Sequence, residues 1–349
     1  MATLAAPAVR FVLPPELEAT SPAEQRGLAR DDVRMLVVRP GLMEHRCAHD
    51  LVDVLEPGDL VVVNTSATLP AAIDGERFDG RAATVHVAPA LDDGSWVVEV
   101  RRIDGRGPVD DVHVGETLCL PGDLLLHITA AHPEPLAVGS RLWRATPVPR
   151  RPLVAYLMEH GRPVTYGYVT RRYALADYQT VFATEPGSSE MASAGRPFTA
   201  DLVTRLVARG IAIAPIVLHT GLSSPEAHEP PSAEWFRVPD ATAALVNVTI
   251  AAGRRVVAVG TTAVRALESA SDVDGVVHGM QGWTDLVLGP HRPAGVVNGL
   301  LTGWHAPEAS HLLLLEAVAG RDLVRVSYPE ALDHKYLWHE FGDVALYLP

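Results

Sequence analysis

The segment RRVVAVGTTAVRALESA, residues 254–270, shows most directly how this chain folds. Residues 256–259 form a β-branched run typical of a buried strand. After Gly260 the apolar residues take a helical spacing, with Thr261 or Thr262 as the expected N-cap. A helix that ends at glycine and an apolar strand recur in FTADLVTRLVARG and IAIAPIVLHTG, residues 198–221, and HLLLLEAVAG, residues 311–320, adds another helix. This alternation predicts an α/β domain.

The stretch from about residue 70 to residue 149 has a different pattern. Short alternating segments such as ATVHVA (83–88) and SWVVEVR (95–101) are separated by the turn sequences DDG, DGRG and PGD. They predict an antiparallel β module that follows the buried strand VVVN (61–64). Because one hydrophobic core stops growing at roughly 250 to 300 residues, the 349 residues of the chain favour two domains.

The composition restricts the class of protein. Hydrophobic residues make up 48% and charged residues 20% of the chain, which indicates a globular protein with a sizeable core. The start MATLAAPAVR has no basic segment before a long apolar run, and no stretch approaches about 18 apolar residues, so we expect a cytoplasmic protein that does not enter the membrane. Cys47 and Cys119 are far apart and lack ligand spacing, so neither a disulfide nor a metal site is expected. The net charge of −13 disfavours polyanion binding over the whole surface but is compatible with a local RNA contact.

The predicted helix after Gly260 begins with two hydroxyl residues, Thr261 and Thr262. The N–H groups and the dipole of a helix N-terminus favour an anionic ligand group such as a carboxylate. Arg265 and Glu268 lie three residues apart on one face of this helix, so they either pair with each other or together bind a zwitterionic group. A capped helix with a surface ion pair explains the same spacing without a ligand.

Other candidate site residues lie at the ends of predicted elements. Tyr178 begins the segment YQTVFATEPGS, which leads to Gly195, where the backbone allows close approach of a ligand, although an ordinary loop before an N-capping Thr199 has the same letters. His219 follows a strand and His305 precedes a helix, positions suited to proton transfer, although most histidines are structural. The chain lacks HExxH, Walker, GxSxG and GxGxxG motifs, which disfavours zinc proteases, P-loop NTPases, α/β-hydrolases and dinucleotide enzymes.

Seven pieces of the sequence, in order along nearly the whole chain, resemble the S-adenosylmethionine:tRNA ribosyltransferase-isomerase family of queuosine biosynthesis. They are LPPELEATSPAEQR (13–26), PGDLVVVN (57–64), YQTVFATEPGS (178–188), VGTTAVRALESA (259–270), WTDLVLGP (283–290), VVNGLLTGWHAPEASHLLLLEAVAG (296–320) and FGDVALYL (341–348). The resemblance implies a larger α/β, barrel-like domain formed by residues 1–69 and 150–349, with an antiparallel β-barrel domain inserted at residues 70–149.

The resemblance also implies a reaction. In this family S-adenosylmethionine is a substrate whose ribose carbons pass to the aminomethyl group of a 7-deazaguanine base in tRNA, giving epoxyqueuosine with release of adenine and methionine. The sulfonium acidifies the C5′ protons, so a positioned base is needed and a metal is not. The candidates for this base are His219, His305 and Glu268. The residues expected to bind S-adenosylmethionine are Tyr178, Gly195, Thr261, Thr262, Arg265 and Asp285, with Glu268, Asp285 and Tyr178 as candidates for the contact with the sulfonium.

Several positions depart from the family pattern. Residues 65–67 and 70–72 lack two arginines of the family, Pro197 replaces a histidine, and HTGLSSP (219–225) keeps only His219 of its segment. The donor half is therefore better preserved than the acceptor half. Two alternatives follow: a paralogue that applies sulfonium chemistry to a small acceptor or to the donor alone, and a protein that binds a nucleoside or RNA without turnover. Among oligomeric states a monomer is the preferred expectation.

Overall fold

Helices cover both faces of a large mixed sheet. A computed structural model describes residues 6–105, 107–137, 140–222, 232–307 and 309–349 of the chain. Four neighbouring strands of this sheet run parallel, namely residues 212–218, 60–64, 256–259 and 299–303. In spatial order the nine strands are β15 (Met280–Thr284), β13 (Glu234–Val238), β12 (Ala212–Leu218), β3 (Leu60–Asn64), β14 (Val256–Val259), β16 (Gly299–Gly303), β17 (Val344–Tyr347), β1 (Arg34–Arg39) and β2 (Leu42–Cys47).

Alternate residues of the central strands enter two different cores. In β3, Leu60 and Val62 join one apolar cluster, whereas Val61 and Val63 join the cluster on the opposite face. A parallel sheet with helices on both faces needs such continuous apolar strands. The first face is covered by α4 (Asp240–Ala251), α5 (Thr261–Ser269), α6 (His311–Ala319) and α7 (Arg321–Asp333), and the second by α1 (Leu51–Val54) and α3 (Ala200–Ala208).

The predicted β module is a closed barrel of six antiparallel strands. These strands are β5 (Ala72–Arg77), β6 (Ala82–Ala90), β7 (Trp96–Arg102), β8 (Thr117–Leu120), β9 (Leu124–His132) and β10 (Leu142–Val148). The predicted fold class, an α/β domain plus an antiparallel β-barrel, is confirmed. Helix α2 (Leu153–His160) comes after the strands of the barrel but packs Tyr156 and Leu157 into the barrel core.

The N-cap predicted from the sequence is found in one helix and not in another. Thr199 caps α3 as expected, because its hydroxyl accepts a hydrogen bond from the Leu202 N–H at 3.1 Å. For α5 the expected N-cap was wrong, since the cap position is Gly260 and the helix already begins at Thr261. Gly260 has a φ of 86°, a conformation that favours glycine and that turns β14 sharply into the helix.

A small parallel sheet connects the two parts of the molecule. It consists of β4 (Ser66–Thr68) and β11 (Glu185–Ser188). Directly after β11, the Ser189 hydroxyl donates a 2.7 Å hydrogen bond to the Val87 carbonyl of the barrel strand β6. Within the described ranges, no helix has the length and apolar composition that crossing a bilayer requires.

Candidate functional site

A cavity of about 300 Å³ lies at the carboxyl ends of the parallel strands. Its wall includes Thr220 after β12, Thr261 after β14 and Trp304 after β16, and further residues come from the segment after β11. Loops at the carboxyl ends of parallel strands meet at one edge of a sheet, where ligands of α/β proteins bind. The fold therefore brings the loops that commonly bind ligands in α/β proteins together around one cavity.

Three polar atoms on this wall are buried and have no hydrogen-bond partner among the described residues. They are the Tyr178 hydroxyl, the Thr262 hydroxyl and the Trp304 indole N–H. A buried polar group without a partner costs about 1–3 kcal/mol. Three such groups on one cavity wall indicate a site built for a polar ligand.

Arg265 lines the cavity, but protein groups already occupy its guanidinium. It forms an ion pair with Glu234, and it donates to the carbonyl groups of Leu286 at 3.2 Å and Thr284 at 3.0 Å. The Arg265 and Glu234 side chains are only 6% and 14% exposed. The ion pair between Arg265 and Glu268 that the helical spacing allowed is thus not formed, because the Arg265 guanidinium pairs with Glu234 on β13 instead.

Glu268 does not line the cavity. Its carboxylate accepts three backbone hydrogen bonds, each of 2.9 Å, from the N–H groups of Gly295, Val296 and Val297. The residue therefore fixes the loop before β16 to the last turn of α5.

His305 faces the cavity from the loop after β16. Its ring stacks on His311, with centroids 4.6 Å apart and planes inclined by 3°, and its Nε2 lies 3.0 Å from the Thr302 hydroxyl. Enclosure by protein holds the pKa of His305 well below its usual range and lowers the pKa of His311 to about 4. Both imidazoles are therefore neutral at neutral pH, and His305 is able to accept a proton.

His219 stands behind the cavity wall. Its Nδ1 lies 2.7 Å from the Ser66 hydroxyl, which is 2.6 Å from the Ser188 hydroxyl, and its ring stacks on Trp235 with centroids 5.2 Å apart. Desolvation lowers the pKa of His219. The neighbouring Thr220 lines the cavity, whereas His219 holds β4 against β11 and β12.

Gly187 allows His219 to take this position, which gives a testable consequence. A Cβ at residue 187 would lie 2.3 Å from the His219 ring, so Gly187→Ala should displace the ring and lower the free energy of unfolding by about 1–3 kcal/mol. Denaturant titration measures this loss. Gly167→Ala is a matched control, because the nearest atom to its added Cβ would be 3.8 Å away. Equal stability of the two variants would contradict the tight packing of His219 on Gly187.

The nine residues predicted for the site divide into two groups. Five line the cavity: Tyr178, Thr261, Thr262, Arg265 and His305. The other four, Gly195, His219, Glu268 and Asp285, do not, although Ala194 and Leu286, next to two of them, do. Of the departures from the family pattern, residues 223–225 lie outside the described part of the chain.

Comparison with known proteins decides the family. The family model for the queuosine biosynthesis protein matches residues 7–347. This chain belongs to the queuosine biosynthesis family.

Relatives within the queuosine biosynthesis family cover the chain almost completely. The S-adenosylmethionine:tRNA ribosyltransferase-isomerase of Symbiobacterium thermophilum is 35% identical, over 97% of this chain and 98% of the relative. The corresponding protein of Thermotoga maritima is 32% identical, over 97% and 98%. The crystal structure of S-adenosylmethionine tRNA ribosyltransferase from Thermotoga maritima matches with a TM-score of 0.52 and 28% identity, over 97% of this chain and 99% of that one. The resemblance inferred from the sequence pieces is therefore confirmed.

A group of aromatic and acidic residues on the cavity wall was not predicted from the sequence. The Tyr166 hydroxyl donates to Glu190, and the Tyr168 hydroxyl donates to Glu340. His339 stacks on Tyr168 with centroids 4.0 Å apart. The only signal in the sequence was that His339 and Glu340 directly precede the family-like piece FGDVALYL.

Two clusters of possible metal ligands occur among the described residues of this family member. One is formed by His45, Glu330 and His334, and the other by Cys47, His49 and Asp50. None of these side chains lines the cavity.

Proposed function

We propose that this chain transfers the ribosyl carbons of S-adenosylmethionine to the aminomethyl group of a 7-deazaguanine base in tRNA and isomerises them, giving epoxyqueuosine. The observation that carries the proposal is similarity over the whole chain to S-adenosylmethionine:tRNA ribosyltransferase-isomerases, at 32–35% identity. Because those relatives are named for a tRNA acceptor, the alternative of a small-molecule acceptor is not favoured.

The cavity offers the groups that the donor requires. Thr261 and Thr262 stand at the first turn of α5, where N–H groups and the helix dipole favour the donor's carboxylate. The unpaired Tyr178 hydroxyl and Trp304 N–H would hydrogen-bond polar atoms of the ribose or adenine. Arg265 contributes by holding the wall in place, since its guanidinium is already bound by Glu234 and backbone carbonyls.

We assign removal of the C5′ proton to His305. The reaction needs a base that can reach the donor, and His305 lines the cavity. When the C–N bond to adenine breaks, adenine leaves with the bonding electrons and takes up a proton. His219 and Glu268 fit the role of base less well, because neither lines the cavity and three backbone N–H groups already engage the Glu268 carboxylate.

Release of adenine tests whether the chain is an enzyme. The purified protein is incubated with S-adenosylmethionine, with and without tRNA that carries the 7-aminomethyl-7-deazaguanine base, and adenine and methionine are quantified by mass spectrometry. We expect stoichiometric release of both only when the modified tRNA is present, with tRNA that carries guanine as the control. No adenine under any condition would contradict enzymatic turnover, and equal release without tRNA would contradict the tRNA acceptor.

The setting of the reaction follows from its substrates. Transfer RNA is a cytoplasmic substrate, so we place the protein in the cytoplasm. The chemistry described above requires no metal, and a monomer is the preferred oligomeric state.

A further inference from the structure

One wall of the cavity combines aromatic rings with carboxyl groups. The Tyr166 and Tyr168 rings stack with centroids 6.1 Å apart, and His339 stacks on Tyr168 at 4.0 Å. Each tyrosine hydroxyl donates to a carboxyl group, of Glu190 and of Glu340 respectively. All five side chains line the cavity.

Glu340 and Glu234 both line the cavity, but they differ in their partners. Glu234 is neutralised by Arg265. Among the described residues, the Tyr168 hydroxyl is the only side chain that hydrogen-bonds to Glu340, and no arginine, lysine or histidine forms an ion pair with it. A carboxylate enclosed in protein is costly unless a cation accompanies it. Glu340 is thus an acidic group of the wall that has no ion-pair partner among the described residues.

We propose that Glu340, held in position by Tyr168, is the counter-ion of the donor's sulfonium. A sulfonium is a diffuse cation, and it is bound well by a carboxylate together with the faces of aromatic rings. This inference rests on S-adenosylmethionine being the donor, as proposed above. It replaces Glu268 and Asp285 in that role, because neither of these two lines the cavity.

The protonation of Glu340 gives the contact a pH dependence. Desolvation raises the pKa of Glu340 to about 7, so the carboxyl is largely ionised only above neutral pH. A bound cation favours the ionised form, so affinity for the sulfonium should rise between pH 6 and pH 8. The titratable and charged groups around Glu340 are Tyr168, Tyr178, Glu190, His339, Arg30, Arg196 and Asp343.

Two ligands that differ only at sulfur test the proposal. S-adenosylmethionine carries a sulfonium, whereas S-adenosylhomocysteine carries a neutral thioether at the same place. By calorimetry at pH 8, we expect Glu340→Gln to weaken S-adenosylmethionine binding by about tenfold or more and S-adenosylhomocysteine binding by less than about twofold. The rise in S-adenosylmethionine affinity with pH should be lost in the same variant. Glu159→Gln removes an equal charge from an exposed side chain of α2 and should change neither affinity.

Tyr168→Phe provides an independent second variant, because it keeps the ring and removes only the hydrogen bond to Glu340. It should weaken S-adenosylmethionine binding by about threefold, with S-adenosylhomocysteine binding unchanged. An unchanged preference for S-adenosylmethionine in a folded Glu340→Gln protein, or in Tyr168→Phe if the first does not fold, would overturn the proposal. Failure of the wild-type protein to bind S-adenosylmethionine would instead refute the proposed donor, and with it this inference.

Discussion

Replacing His305 with alanine should lower the rate of adenine release by about 10²–10⁴-fold while donor binding is retained, the loss typical of removing a general base. His305 lines the cavity, and its neutral imidazole is the form that accepts a proton. Its contacts, a stacked His311 and the Thr302 hydroxyl, orient the ring, so alanine removes the base without leaving a buried charge. Single-turnover measurement of adenine release, with calorimetry of S-adenosylmethionine binding, separates chemistry from affinity.

His219→Asn is the informative comparison for this variant. His219 does not line the cavity and contacts Ser66 and Trp235, so its replacement should affect stability more than turnover. Unchanged turnover in His305→Ala would exclude His305 as the base. A loss of turnover with unchanged stability in His219→Asn would assign the base to His219.

Replacing Arg265 with methionine should destabilise the protein by about 3–5 kcal/mol, the cost of leaving a buried charge without its partner. The ion pair with Glu234 is almost wholly enclosed, and Arg265 also fixes the carbonyl groups of Thr284 and Leu286. Denaturant titration measures the loss. The double variant Arg265→Met/Glu234→Gln should recover part of the stability, because it contains no unpaired carboxylate.

The effect of Arg265→Met should depend on pH. Desolvation already raises the pKa of Glu234, and loss of the Arg265 charge, which lowers it, should raise this pKa further. A carboxyl whose pKa is higher in the folded than in the unfolded state stabilises at low pH and loses that contribution as pH rises through the folded-state pKa. The variant should therefore be closer to wild type at pH 5 than at pH 8. An equal deficit at both values would contradict an unpaired Glu234 as the cause.

The sequence predicted the elements of the fold well because their signals are local. Residues 256–259 are uniformly apolar, as β14 requires for burial on both faces, and the helix after Gly260 follows from the spacing of its apolar residues. The N-cap of α5 was misplaced by one or two residues, because the turn depends on the positive φ of Gly260.

The partners of site residues could not be predicted, since they come from distant parts of the chain. Arg265 pairs with Glu234, 31 residues away, rather than with Glu268 in the same helix. Tyr168 and Glu340 are 172 residues apart, so no spacing rule connects them. Glu268 accepts hydrogen bonds from backbone N–H groups of the loop before β16. Because the donors are backbone groups, the residue types in the loop do not reveal this contact. Family resemblance implied the proposed donor, whereas only the fold showed which side chains face the cavity.

The most direct test of the central claim is mass spectrometry of the tRNA product. Transfer RNA carrying 7-aminomethyl-7-deazaguanine is incubated with the protein and S-adenosylmethionine, digested to nucleosides and analysed. We expect a new nucleoside with the mass of epoxyqueuosine, formed in proportion to the adenine released. Cleavage of S-adenosylmethionine while the tRNA stays unmodified would contradict ribosyl transfer to tRNA.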